Sequence, residues 1–137
     1  MPNVNDDVMS VVDAYFQAWT SGDIEGALSH LSDDARCYAP EESIANKDDW
    51  RNFMQTFIPL LTGAPEHARM VDGDRVALWY FPQTEVTTTT LACELFTIRD
   101  GLIVETRVIF DSIAYTPPEL LPDPAVLECP PAPENVG

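Results

Sequence analysis

Two residues have types and surroundings that could do chemistry. Tyr15 stands on the apolar side of a helical repeat, seven residues before Gly22. A phenol there either packs in a core with its hydroxyl bonded or points into a cavity. Glu94 stands in LACELFTI, residues 91–98, with Leu91, Cys93, Leu95 and Thr97 on one face of a strand and Ala92, Phe96 and Ile98 beside it on the other. Both faces are largely apolar, and an unpaired charge buried among such residues is very costly. The carboxyl therefore needs a partner or a cavity. In a cavity its charged form is disfavoured, so it should titrate well above the ~4.3 of a free Glu. A neutral carboxyl beside a phenol is a donor pair that can stabilise charge developing on a carbonyl or phenol oxygen.

The turn after that strand decides which partner Glu94 meets. A two-residue turn at Asp100-Gly101 puts Glu94 across from Arg107, as an ordinary cross-strand ion pair. A three-residue turn, Arg99-Asp100-Gly101, puts it against Thr106 and Val108 on the apolar side of the last strand. Both alternatives are open at the level of the sequence.

The elements that hold these residues follow from periodicity. Val8, Val11, Val12, Tyr15, Phe16 and Trp19 recur at the helical period. Asn5 or Asp6 can cap the start of this helix, and Gly22 can end it in the left-handed conformation. Asp23 can cap a second helix whose inner face is Ile24, Ala27, Leu28 and Leu31. Ala35 to Ala39 predicts a short strand. Asn46 predicts the cap of a third helix carrying Trp50, Phe53, Met54 and Phe57, which should bend or end near Phe57 because Pro59 lacks an N–H. Strands are expected at His67–Val71 and Arg75–Phe81 around Asp72-Gly73-Asp74, and at Thr87–Ile98 and Leu102–Phe110 around Arg99-Asp100-Gly101. Three helices followed by antiparallel strands make an α+β domain with the helices gathered on one face of the sheet.

Composition narrows the function. The 137 residues amount to one domain, and 45% are hydrophobic. No apolar run approaches the ~20 residues that span a bilayer, and MPNVNDDV has no signal-peptide pattern. The expectation is a cytoplasmic protein without a membrane partner. A net charge of −16, from 23 acidic and 7 basic residues, argues against nucleic acid. Cys37, Cys93 and Cys129 form no CxxC pair, and the two histidines fit no metal spacing, so no metal and no cofactor are expected. From Thr116 the chain holds seven of the twelve prolines and no basic residue. The expected division is a domain over 1–115 and a Pro-rich tail over 116–137.

The element order, with YFQAWTSGDIEGALSHLSDDA and ELFTIRDGLIVETRVIFD, resembles the SnoaL-like branch of the NTF2-like superfamily, over roughly residues 7 to 112. Ketosteroid isomerases, polyketide cyclases, scytalone dehydratase and limonene epoxide hydrolase belong to that superfamily. The resemblance implies a cone-shaped fold in which three N-terminal helices pack in a curved, mainly antiparallel sheet, with an apolar pocket at the wide end. It places Tyr15 where ketosteroid isomerase keeps its oxyanion-donating phenol, and Glu94 where it keeps a protonated second donor. It also shows Ala39 where that enzyme keeps its base, Val108 where cyclases and the epoxide hydrolase keep an acid, and no Arg-x-Asp pair.

The site expected on these grounds is Tyr15 and Glu94 as catalytic residues. Trp19, Tyr38, Trp50, Phe53, Phe57, Trp79, Phe96, Val108 and Phe110 are expected around the pocket. The ligand class is a small hydrophobic molecule bearing a carbonyl or phenol oxygen. If the protein is an enzyme, the chemistry is metal-free proton transfer of the isomerase, cyclase or dehydratase kind. The competing readings are a non-catalytic ligand binder and a dimeric accessory protein with a vestigial pocket. Apolar residues on the outer face of the sheet predict a homodimer through it.

Overall fold

A computed structural model describes residues 4–40, 42–112 and 118–120. Helix α1 runs Val4–Thr20, α2 Ile24–Leu28 and α3 Lys47–Phe57, with a 3-10 turn at Ile58–Leu60. The strands are β1 Leu31–Ala39, β2 Glu42–Ile44, β3 Glu66–Asp72, β4 Arg75–Tyr80, β5 Ala92–Arg99 and β6 Leu102–Ile109. They form one curved sheet in the order β2-β1-β6-β5-β4-β3, antiparallel throughout except where β1 lies parallel to β6. The expected α+β arrangement is the observed one. No helix among the described residues is long and apolar enough to cross a membrane.

Helix α1 buries Val8, Val12, Tyr15 and Trp19, one stripe at the helical period. It packs against β3 to β6, while α3 packs on β1, and α2 bridges the two helices. Gly22 takes φ +87° and ends α1, a conformation a side chain would strain. Asp23 then caps α2 by accepting from the Gly26 N–H at 2.9 Å, and Asn46 caps α3 by accepting from the Asp49 N–H at 2.9 Å. The expected caps of α1 are corrected. The helix already begins at Val4, so Asn5 and Asp6 lie inside it, and a cap acts only from the position before the first helical residue.

Three strand expectations also change. Strand β1 starts at Leu31 rather than Ala35, so Leu31 belongs to the strand and not to the inner face of α2, which ends at Leu28. The short strand β2 is additional, its three residues being too few to show alternation. Strand β5 starts at Ala92 rather than Thr87. The Thr84 hydroxyl accepts from the N–H groups of Val86 and Thr87, and the Thr87 and Thr90 hydroxyls bond each other at 2.9 Å. Such local bonds compete with a strand ladder. The expected tail from Thr116 lies outside the described residues except for the turn Pro118–Leu120.

The β5–β6 hairpin resolves the alternatives for Glu94 in a mixed way. Asp100 (φ 52°) and Gly101 (φ 76°) form a two-residue turn with Arg99 paired to Leu102. A bulge then shifts the register, since Ile98 pairs with Ile103 while Thr97 pairs with Glu105. One extra residue flips the facing partner. Glu94 therefore pairs with Val108, and Arg107 pairs with Leu95 on the opposite face.

Candidate active site

The helices and the concave face of the sheet enclose a cavity of about 200 Å³. Tyr15 and Trp19 reach it from α1, and Trp50, Phe53, Met54 and Phe57 from α3, with Ile58 following. The sheet contributes Cys37, Tyr80, Ala92, Glu94 and Val108, and Pro82 and Phe110 complete the wall. Space exists here because the sheet floor carries Ala92, Cys37 and Val108 where larger side chains would fill it.

Glu94 is 6% exposed. Its Oε1 accepts a hydrogen bond from the Tyr80 hydroxyl at 3.1 Å. Tyr80 is on β4, two residues from Leu78, which pairs directly with Glu94, so the two polar groups are diagonal neighbours on one face. Burial pushes the Glu94 carboxyl up to about 7, against the pull of the Tyr80 hydrogen bond, which favours the ionised form. Near neutral pH this group can both hold and release a proton.

Tyr15 is 3% exposed. Its hydroxyl oxygen accepts from Trp50 Nε1–H at 3.2 Å. Its own hydrogen has no acceptor among the described residues, so it is available to a ligand. Burial, and then the charge of Glu94, raise both tyrosine hydroxyls well above their ordinary value. They are donors at any working pH. Burial and the Glu94 charge also push the Cys37 thiol up to about 12, which leaves it a poor nucleophile.

Tyr15 and Glu94 thus line one cavity, and each is held by a different neighbour, Trp50 and Tyr80. Trp19, Trp50, Phe53, Phe57, Val108 and Phe110 line it as well. Three expected lining residues do not. Tyr38 follows the inward Cys37 and so faces outward, where the Arg107 guanidinium stacks 4.3 Å from its ring centroid. Trp79 precedes the inward Tyr80 and also faces outward, paired with Cys93. Phe96 points inward but is wholly buried in the core, with the Tyr15 ring edge-on to it at 5.7 Å. Reasoning from sequence missed Tyr80. The alternation of Arg75, Ala77 and Trp79 against Val76, Leu78 and Tyr80 carries the signal, because Arg75 marks its face as the outer one.

Residues 12–106 match the SnoaL-like domain family. The chain belongs to the SnoaL-like family. A protein of Kribbella flavida is 31% identical to this SnoaL-like chain, covering 77% of it and 88% of its own length, with a TM-score of 0.73. An NTF2-like protein of Cytophaga hutchinsonii is 18% identical over 79% of this chain and 93% of its own, with a TM-score of 0.71. An LEH-like epoxide hydrolase of M. tuberculosis is 17% identical over 80% and 86%, with a TM-score of 0.67. Comparison with curated proteins finds no match. Within the SnoaL-like fold, this chain has an aliphatic Val108 in the cavity wall and a single ionisable carboxyl, Glu94, among the described residues that line it.

Proposed function

We propose that this SnoaL-like protein binds a small hydrophobic molecule through a carbonyl or phenol oxygen, and that Tyr15 and Glu94 are the groups that hold it. The observation that carries this reading is one buried carboxyl in an apolar, aromatic-walled cavity that also holds a phenol whose hydrogen has no acceptor among the described residues. The size supports it too, since an apolar cavity of about 150 Å³ is enough to hold benzene. A ligand of one or two rings fits this space. The chemistry on offer is proton transfer of the isomerase or cyclase kind, with Tyr15 stabilising charge on the oxygen and Glu94 moving the proton. With no acid at Ala39 or Val108 to share that work, turnover should be slow against binding.

The test uses p-cresol and 2-cyclohexenone. Trp19 and Trp50 form part of the wall, so binding should change the intrinsic fluorescence in a saturable way. Exchange of the enone's α-hydrogens in D₂O, followed by NMR, would report proton transfer. Lack of a saturable change with either probe would reject the reading. Binding without exchange would leave a binder and remove the enzyme.

A homodimer is the partner this reading includes. On the outer face of the sheet Ala68, Trp79, Cys93 and Ile109 pair in one row across β3 to β6, and Met70, Ala77 and Leu95 pair in the next. Ile109 is 71% and Met70 61% exposed. Large apolar residues in adjacent rows are typical of an interface. Light scattering should give a dimer at micromolar concentration, and Ile109→Asp should shift it to monomer. A parent protein that is monomeric at that concentration would rule the dimer out.

A further inference from the structure

Glu94 has two carboxyl oxygens in unlike positions. Oε1 is taken by the Tyr80 hydroxyl. Oε2 makes no hydrogen bond to a described residue, and it is not among the sealed polar atoms that lack a partner. It therefore opens on the cavity that Glu94 lines. The Tyr80 hydroxyl is a donor, so the oxygen it faces stays an acceptor whether Glu94 is ionised or neutral. The exchangeable proton of the neutral acid accordingly resides on Oε2, the atom a ligand would meet.

The surroundings add no second switch. Among the described residues, the titratable groups facing Glu94 are Tyr15 from α1, Tyr80 from β4 and Cys37 from β1. All three remain protonated near neutrality. Helix α3 and β6 bring Trp50, Phe53, Met54, Phe57 and Val108, none of which titrates. Cys93, next to Glu94 on β5, lies on the outer face. No lysine, arginine or histidine is among the described lining residues.

We propose that the Tyr80–Glu94 pair makes the cavity choose its ligand by proton state: a phenolic hydroxyl when Glu94 is ionised, a carbonyl when Glu94 is protonated. A phenol accepts from Tyr15 and donates to Oε2. A ketone or enone can only accept, so it needs donors from both sides, and the one on Oε2 is present only in the neutral acid. Tyr80 is the positioning residue that reserves Oε2 for this role. The proposal rests on the reading that the cavity binds such molecules. Its consequence is that the two ligand classes respond to pH in opposite directions, with the crossover at the Glu94 titration, near 7.

The test is calorimetric titration of the full chain with p-cresol and with 2-cyclohexenone at pH 6, 7 and 8. Between pH 6 and 8 the affinity for p-cresol should rise about tenfold and that for 2-cyclohexenone should fall about tenfold, because each binds one protonation state of a single group. At pH 8 the enone should take up a proton on binding, and at pH 6 the phenol should release one, both visible by changing the buffer's ionisation enthalpy. Glu94→Gln should bind both probes with affinities independent of pH. Tyr80→Phe removes the bond that favours the ionised form, so its crossover should move to higher pH. Binding of both probes with flat or parallel pH dependence would overturn the proposal and leave the binding reading standing. An unmoved crossover in Tyr80→Phe would remove Tyr80 from it. Failure of both probes to bind at every pH would overturn the binding reading and this proposal together.

Discussion

At pH 8 the Glu94→Gln protein should be more stable than the parent by about 3 kcal/mol, and at pH 4 the two should be nearly equal. The Glu94 carboxyl titrates at about 7 in the folded protein against 4.5 when unperturbed. The folded state therefore binds more protons than the unfolded chain between those values, and parent stability falls as pH rises through that window. Below pH 4.5 both states are protonated and nothing is lost. Above 7 both are ionised, and the full cost of holding a carboxylate in an apolar cavity is present, at about 1.4 kcal/mol per pKa unit. Glutamine has the same shape, can still accept from Tyr80, and does not ionise. Glu25 and Glu66, which arginine hydrogen bonds hold below the usual range, stabilise the fold in the opposite pH direction. They are common to both proteins, so their effect cancels in the difference. Urea denaturation of the two proteins from pH 4 to 8 measures it. A difference that does not grow with pH would mean that Glu94 is not the buried, titrating group described here.

That Glu94 needs a partner or a cavity was visible in the sequence, because one charged residue interrupted a strand apolar on both faces. The helices were legible for a similar reason. Tyr15, Trp19 and their neighbours keep the helical period, and Gly22, Asp23 and Asn46 carry stop and cap chemistry that acts locally. The facing of Glu94 could not be read with certainty, because it depends on a bulge between Thr97 and Ile98 that has no compositional mark. Asp100-Gly101 marked a turn but left its length open between two and three residues, and the bulge undid the register that the two-residue turn implies. A similar limit applies to the cavity wall. An aromatic residue announces burial but not which side of the strand it occupies, so Tyr38 could be placed only once Cys37 was seen to face inward, while Arg75 was the one mark in the sequence that puts Trp79 outside. Phe96 shows a further limit, since an inward residue two positions along from Glu94 is already inside the packed core. The threonine-rich approach to β5 looked like strand by propensity and became a hydroxyl-bonded loop.

Tyr15→Phe should weaken binding of p-cresol by about 5- to 150-fold, the equivalent of one lost hydrogen bond of about 1–3 kcal/mol, and leave toluene binding almost unchanged. Trp50 Nε1–H donates to the Tyr15 oxygen at 3.2 Å and fixes its direction. The remaining hydrogen of that hydroxyl has no acceptor among the described residues and is free to donate to a ligand. Phenylalanine keeps the ring that packs edge-on against Phe96, so the shape of the cavity survives and its apolar affinity with it. The same substitution strands the Trp50 N–H, in a side chain that is 2% exposed, which should lower stability by about 1–3 kcal/mol. Stability alone therefore cannot separate a ligand donor from core filler. The pair of probes can, because p-cresol and toluene share a ring and a methyl group and differ in the hydroxyl. Were the two affinities to fall together, the substitution would be acting through packing, and Tyr15 would be filler. Loss confined to p-cresol assigns the Tyr15 hydroxyl to the ligand oxygen.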